Sequence, residues 1–137
     1  MARASDWLWP DSTGKPMVIV AKCLAGVPCR YHGEAAPPRR ALLARLDARY
    51  EVLLFCPEEE AGLPTPRPPA RWRDGRLIAA GKDVTEFFQR GAELTLQLAK
   101  AHRVKKFYGL RLSPSCDPET GITARLLRRH RIRCLYG

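Results

Sequence analysis

The sequence predicts a single compact α/β domain with a mainly parallel sheet flanked by helices. Three observations indicate this class. Strand-like and helix-like segments alternate along the 137 residues, as in chains whose parallel strands are joined by helices. The length suits one domain, and a hydrophobic content of 45% is ordinary for a protein with one core. No apolar run approaches the roughly 18 residues that a membrane span needs, so no membrane partner is expected.

The first half of the chain supplies two predicted strands and one helix. Residues 1–16 are predicted to be an N-terminal extension, because they lack the continuous apolar segment of a secretory signal. The domain itself is predicted at 17–137 and begins with an apolar strand at 17–21. Leucines at 42, 43 and 46 predict one apolar face of a helix at 41–49. The second strand is predicted at 51–55.

A proline-rich loop and two further strands follow. The loop after Phe55 contains five prolines and is predicted to be rigid and not helical. Asp74 and Gly75 predict a tight turn in a small hairpin at 71–78. Val84, Phe87, Phe88, Gly91, Leu94, Thr95 and Leu98 recur at helical spacing and predict a long helix from Asp83 or Thr85 to about Ala101, with these residues on its buried face. A strand at 106–110, a helix from Thr120 or Thr123 to about Arg129 and a strand at 132–136 complete a Rossmann-like order.

Three of the predicted strands lead into cysteines, namely Cys23, Cys56 and Cys116. Ligands of α/β sheets bind at the carboxyl ends of the strands, so these thiols are expected to converge there. Thiolates favour zinc, copper(I) or iron–sulfur clusters. Three thiolates leave one coordination position open, whereas Cys29 as a fourth ligand would close the site. The residues alone also allow ordinary buried cysteines or one nucleophilic cysteine.

The charge and the number of cysteines indicate the partners and the compartment. A net charge of +10 favours an anionic partner such as a nucleotide or RNA, although an arginine-rich surface can also serve solubility alone. Five cysteines, an odd number, in a chain without a secretory signal predict reduced thiols and a cytoplasmic protein.

Several motifs occur in an order that resembles the thiouracil desulfidase (TudS) family. They are Cys23-Leu-Ala-Gly-Val-Pro-Cys-Arg-Tyr, Cys56-Pro-Glu with Gly62-Leu-Pro-Thr-Pro-Arg-Pro-Pro69, Gly81-Lys-Asp-Val-Thr85, Ser113-Pro-Ser-Cys116 and Gly121-Ile-Thr-Ala124. The resemblance covers nearly the whole chain from Val18 onward. It implies a 4Fe–4S cluster at the carboxyl ends of the strands, held by Cys23, Cys56 and Cys116, with its fourth iron open to the sulfur of the substrate.

The resemblance also implies the reaction and two catalytic residues. The reaction is hydrolysis of the C–S bond of thiouracil or a related thiolated pyrimidine or nucleotide, which yields the oxo form and hydrogen sulfide. Glu58 corresponds to the catalytic acid/base, and Ser113 to a catalytic or substrate-orienting hydroxyl. Cys29 matches a recurrent family position but is not a ligand in this interpretation.

One departure from the family lies after Cys116. Relatives usually carry a Gly-rich stretch before Gly-x-Thr-Ala, whereas here Cys116-Asp-Pro-Glu-Thr-Gly121 joins the two motifs directly. We therefore expect a more open pocket, which could admit a nucleotide or tRNA. Two alternatives remain: a metal- or cluster-stabilised module that binds RNA or a nucleotide without turnover, and a sulfur-transfer protein with Cys29 or Cys134 as carrier. A carboxylate two residues from a ligand favours the enzyme.

Overall fold

The structure, a computed structural model, describes residues 14–29, 31–34 and 36–137. Most of the predicted extension, residues 1–13, therefore lies outside the described residues. In chain order the elements are β1 (Met17–Ala21), a 3-10 turn (Lys22–Ala25), α1 (Arg40–Arg49), β2 (Glu51–Phe55), α2 (Pro57–Glu60), β3 (Ala70–Arg73), β4 (Arg76–Ala79), β5 (Lys82–Asp83), α3 (Thr85–Ala101), β6 (Lys106–Gly109), α4 (Ile122–Arg129) and β7 (Arg133–Tyr136).

The main sheet has the strand order β2-β1-β6-β7, and every neighbouring pair in it is parallel. This arrangement confirms the predicted α/β class. From β1 the chain moves outward to β2 and then returns to β6 on the other side of β1, so the strand order reverses between β1 and β6. A ligand in an α/β fold is expected outside the carboxyl ends of the strands at such a point.

The helices cover the sheet with narrow apolar faces. Helix α3 packs against α4, and α1 packs against β2. The buried face of α3 differs from the predicted one, because Phe87 is 43% exposed while Phe88, Ala92 and Ala99 are buried. The small alanines let the helix approach the core closely on their side. The buried face of α3 is therefore rotated by about one residue from the face that the larger apolar residues predicted. Among the described residues, no helix is long and apolar enough to cross a membrane.

A second, three-stranded antiparallel sheet has the order β3-β4-β5. The predicted hairpin is confirmed, and its turn places Asp74 at φ +50° and Gly75 at φ +78°, as a tight turn between two strands requires. Strand β5 was not predicted, since two residues carry no readable alternation. The Thr85 hydroxyl accepts a hydrogen bond from the Leu77 N–H at 2.8 Å, which ties this sheet to the start of α3.

The segment after Cys56 contradicts one prediction. Residues Pro57–Glu60 form one helical turn, so the expectation that the loop has no helix was wrong. Proline is well tolerated at the first position of a helix, because the N–H that it lacks has no partner there. The turn brings Glu58 inward, while Glu60 stays exposed.

Candidate active site

The loops after β1, β2 and β6 meet in one cavity of about 680 Å³ at the carboxyl edge of the main sheet. Each loop contributes one of the predicted ligands, and Cys23, Cys56 and Cys116 are only 7%, 6% and 6% exposed. The two predicted catalytic residues, Glu58 and Ser113, line the same cavity. The structure therefore brings together all five residues that the sequence singled out.

A fourth cysteine also lies in the cavity. The Cys29 thiol interacts with the thiols of Cys23 and Cys56, and the Cys23 contact raises its pKa to about 11. The hydrogen bond with Cys29 and burial raise the pKa of Cys56. Burial raises the pKa of Cys116 to about 12. The raised pKa values of Cys29, Cys56 and Cys116 favour their protonated forms, so a metal that binds these thiols must displace their protons.

The thiols around the cavity are candidate ligands for a metal group. In the described part of the chain, no three cysteine, histidine or acidic side chains lie close enough together to hold one metal ion. The ligands of an iron–sulfur cluster bind different irons, so they are farther apart than the ligands of a single zinc. Thiols from three loops around one cavity form a soft donor set, which is the kind that iron–sulfur clusters take.

The loop after β6 holds Cys116 by short-range hydrogen bonds. The Ser113 hydroxyl accepts from the N–H of Ser115 at 3.2 Å and from that of Cys116 at 3.1 Å. The Leu110 N–H donates to Cys116 Sγ at 3.4 Å, a contact that favours the thiolate form. Residue 109 must be glycine, because a Cβ there would overlap the Cys116 carbonyl oxygen.

The carboxylate of Asp117 organises the rest of this loop. It accepts from the N–H groups of Leu112 at 2.6 Å, Glu119 at 2.8 Å and Thr120 at 3.1 Å. Burial works against the charge, yet these backbone donors lower the pKa of Asp117. The short connection from Cys116 to Gly121 thus has a shape fixed by its own carboxylate.

Glu58 is held by an arginine that sequence reasoning missed. Arg67 Nε lies 2.9 Å from Glu58 Oε2, and Nη2 contacts the same oxygen. The two side chains are only 6% and 13% exposed, respectively. Burial raises the pKa of Glu58, and Arg67 opposes that rise. One signal was available in the sequence, because Arg67 is the single basic residue between positions 51 and 70.

Arg67 also joins three segments of the chain. Its guanidinium donates to the carbonyls of Cys29 at 3.0 Å and Pro64 at 3.2 Å, and to the Thr65 hydroxyl at 2.9 Å. Its backbone N–H donates to the Tyr31 carbonyl at 2.6 Å. A bidentate, planar guanidinium suits this set of acceptors better than the single ammonium of lysine.

Two further contacts place Glu58 in the cavity. The Ser113 hydroxyl interacts with the Glu58 carboxylate, so the loops after β2 and β6 meet at the two predicted catalytic residues. Behind the turn α2, Gly91 of α3 lies against the Pro57 carbonyl, where a Cβ would overlap the oxygen. The position of Glu58 is therefore set from both sides.

Comparison with known proteins identifies this arrangement. The family described as 2-thiouracil desulfurase matches residues 18–136. The chain belongs to the 2-thiouracil desulfurase family. This confirms the resemblance that the motifs indicated, and with it the predicted class of enzyme.

Two relatives of this desulfurase show how far the similarity extends. The uncharacterized protein YbbK of Bacillus subtilis (strain 168) is 33% identical over 111 residues, which are 73% of this chain and 72% of YbbK. A solved structure named [4Fe-4S]-dependent thiouracil desulfidase TudS is 36% identical, with a TM-score of 0.78. The match covers 89% of this chain and 91% of that protein, so the two share the whole fold.

Proposed function

We propose that the protein is a 4Fe–4S-dependent desulfidase that hydrolyses the C–S bond of thiouracil or a related thiolated pyrimidine. Cys23, Cys56 and Cys116 would hold the cluster. The observation that carries this proposal is the convergence of these thiols with Glu58 and Ser113 in one cavity. The family and the solved desulfidase of the same fold support it.

The reaction exchanges sulfur for oxygen without a change of oxidation state. Thiouracil and water give uracil and hydrogen sulfide, so no electron donor is required. When bound, the cluster supplies Lewis-acid polarisation of the thiocarbonyl group through the iron that has no protein ligand, and a site for the leaving sulfide.

The chain supplies the proton transfer and the orientation. Glu58 takes a proton from the attacking water, a role that contributes roughly 10²–10⁴ to a rate. A raised pKa suits this residue for passing the proton on to the departing sulfur. Ser113, fixed by its two backbone donors, orients the ring or the water. Arg67 keeps the carboxylate directed into the cavity and does not meet the substrate in this scheme.

An anionic substrate, such as a thiolated nucleotide or tRNA, is the finer form of the proposal. Of the described residues that line the cavity, Glu58 is the single acid, and Arg67 neutralises it. Four other basic side chains line the cavity, Lys22, Arg71, Lys82 and Arg111. The resulting positive electrostatic potential attracts a phosphate group and makes its binding dependent on the salt concentration. We expect 4-thiouridine monophosphate to show a lower KM than thiouracil in low salt, and the difference to shrink as salt is added.

The state of the cysteines supports a cytoplasmic location, and the family match supports a division into an extension and one domain. All five cysteines are free thiols, which suits a reducing cytoplasm. The family match begins at residue 18, which supports treating 1–16 as an extension outside the domain at 17–137.

Anaerobic reconstitution tests the proposed cluster and its ligands. Iron, sulfide and the visible spectrum are measured for the wild type and for Cys23→Ala, Cys56→Ala, Cys116→Ala and Cys29→Ala. We expect each of the first three variants to lose the cluster and Cys29→Ala to retain much of it. A full iron complement in any of the first three would remove that residue from the ligand set.

The same samples separate the enzyme from a binding module. Release of uracil and hydrogen sulfide from thiouracil is measured on iron-replete wild type. Turnover supports the desulfidase. A brown protein that binds RNA or a nucleotide and releases no sulfide would favour the alternative, a cluster-stabilised module without turnover.

A further inference from the structure

Leu112 is an exposed apolar side chain at the rim of the cavity. It is 85% exposed, about twice as much as any other large apolar residue among those described. It lines the cavity and directly precedes Ser113. Removing a leucine side chain from water is favourable, so an exposed leucine at this place can gain a contact when a ligand covers it.

The backbone holds Leu112 in an unfavourable conformation. Its φ is +67°, in the left-handed region that residues other than glycine seldom adopt. The Asp117 carboxylate stabilises this conformation through the Leu112 N–H at 2.6 Å. On the preceding residue, the Arg111 guanidinium lies 5.2 Å from the centre of the Tyr136 ring. The loop is therefore held in place on either side of the leucine.

A strained residue that is held in place beside a reaction site often serves that site. Glycine at position 112 would remove the strain, and a polar residue would suit the exposure, yet the chain carries leucine. We propose that Leu112 is a specificity-determining residue that covers the apolar face of the pyrimidine ring when substrate is bound at Ser113. This inference rests on the proposed function and assigns the part of the site that contacts the ring.

Tyr31 supplies a second apolar surface at the same cavity. It is 42% exposed, and it is the other large exposed apolar side chain that lines the cavity in the described residues. Its carbonyl accepts from the Arg67 N–H, which fixes its backbone beside the Glu58 pair. Leu112 and Tyr31 thus add exposed apolar surface for a flat, weakly polar ring to a cavity whose lining also includes Phe88, Leu110 and several prolines.

The substitution Leu112→Gly tests this role cleanly. Glycine adopts a positive φ without strain, so the variant should melt at the same temperature as the wild type or higher. Losing the contact with the ring should raise KM for thiouracil by about 10- to 150-fold, as expected for one apolar side chain. The value of kcat should stay within about twofold, because a contact made equally in the ground and transition states affects binding alone.

Leu54→Ala is the matched control, since Leu54 is 41% exposed on β2 and does not line the cavity. Its KM should equal that of the wild type. Leu112→Ala should raise KM like Leu112→Gly without the gain in melting temperature. An unchanged KM in iron-replete Leu112→Gly would overturn the proposal, and so would a loss of kcat with unchanged KM.

Failure of the desulfidase proposal can be told apart from failure of this one. If the wild type releases no sulfide, calorimetry on cluster-loaded protein still compares the Kd for thiouracil of wild type and Leu112→Gly. Weaker binding by the variant supports the role of Leu112 as a contact with the ring. Equal binding overturns that role, and an absence of binding to wild type overturns both proposals.

Discussion

The loops after β2 and β6 bring Glu58 and Ser113 to the same cavity, but they are fixed by opposite charges. In the first, the cation Arg67 donates to acceptors that include Cys29, 38 residues away in the chain. In the second, the anion Asp117 accepts from backbone N–H groups no more than five residues away. A long guanidinium can connect distant segments, whereas a short carboxylate shapes only its own turn. The first loop therefore depends on tertiary contacts, and the second is largely self-contained.

Gly109→Ala should have the largest effect on stability, because it adds an atom where the self-contained loop after β6 packs most tightly. The added Cβ would overlap the Cys116 carbonyl, which is backbone and cannot rotate away. We expect a loss of more than about 4 kcal/mol in the free energy of unfolding, at the far end of what overpacking produces. Urea denaturation measures it. Gly62→Ala, in the loop after β2, is the control: no atom lies within 4 Å of its Cβ, and only its φ of +99° opposes the change.

Arg67→Met should cause the second-largest loss of stability, because it removes the cation that pairs with the buried Glu58 carboxylate. Breaking a buried ion pair from one side costs about 3–5 kcal/mol, and we expect about 3 because Glu58 keeps its contact with Ser113. The double variant Arg67→Met/Glu58→Gln, which removes both charges, should recover a large part of that loss. If the double variant is as unstable as Arg67→Met, the arginine stabilises the loops through Cys29 and Pro64 rather than through Glu58.

Glu58→Gln tests the chemistry with little effect on the fold. Glutamine keeps the size of the side chain and can still accept a hydrogen bond from Arg67, but it cannot take a proton from water. The rate of uracil and sulfide release should fall by about 10²-fold or more, while the iron content is unchanged. Near-normal turnover of an iron-replete variant would remove Glu58 from the mechanism. Measuring iron and turnover on the same sample keeps the two results separate.

Asp117→Asn should have the smallest effect of the four. The amide oxygen can still accept from some of the three N–H groups, so only the charge and part of the network are lost. A charge-assisted hydrogen bond contributes about 1.5–3 kcal/mol, and retaining part of it leaves an expected loss of about 1 kcal/mol. Denaturation of the protein without a cluster checks this value. A loss as large as that of Arg67→Met would show that the loop after β6 also depends on distant contacts.

The same difference between the loops explains how much could be predicted from the sequence. The four main strands, the hairpin and the convergence of Cys23, Cys56 and Cys116 follow from alternating elements and strand ends, and these were predicted. The motif resemblance supplied Glu58 and Ser113, and the structure places both in the cavity. Their roles, like those of the ligands, stay predictions until the variants are measured.

What the sequence did not reveal depends on contacts between distant residues. Nothing near Arg67 in the sequence indicates that its guanidinium donates to the Cys29 carbonyl. The order of the strands brings these two loops together, and the sequence does not state that order. The burial of Ala92 and Ala99 in place of Phe87 has the same origin, since packing distance and not side-chain size decides which face of α3 is covered. The helical turn at Pro57–Glu60 differs from the predicted loop for a local reason, because proline disrupts the interior of a helix but is well tolerated at its first position.

Gly91 has a consequence for how this enzyme could change over time. It brings the backbone of α3 against the Pro57 carbonyl, so the height of Glu58 in the cavity is set by a helix residue on the far side of the turn. A mutation there would move the carboxylate without altering any group that meets the substrate. Natural divergence of rate among homologues can therefore arise behind the site. Directed-evolution libraries confined to the cavity wall would not sample it.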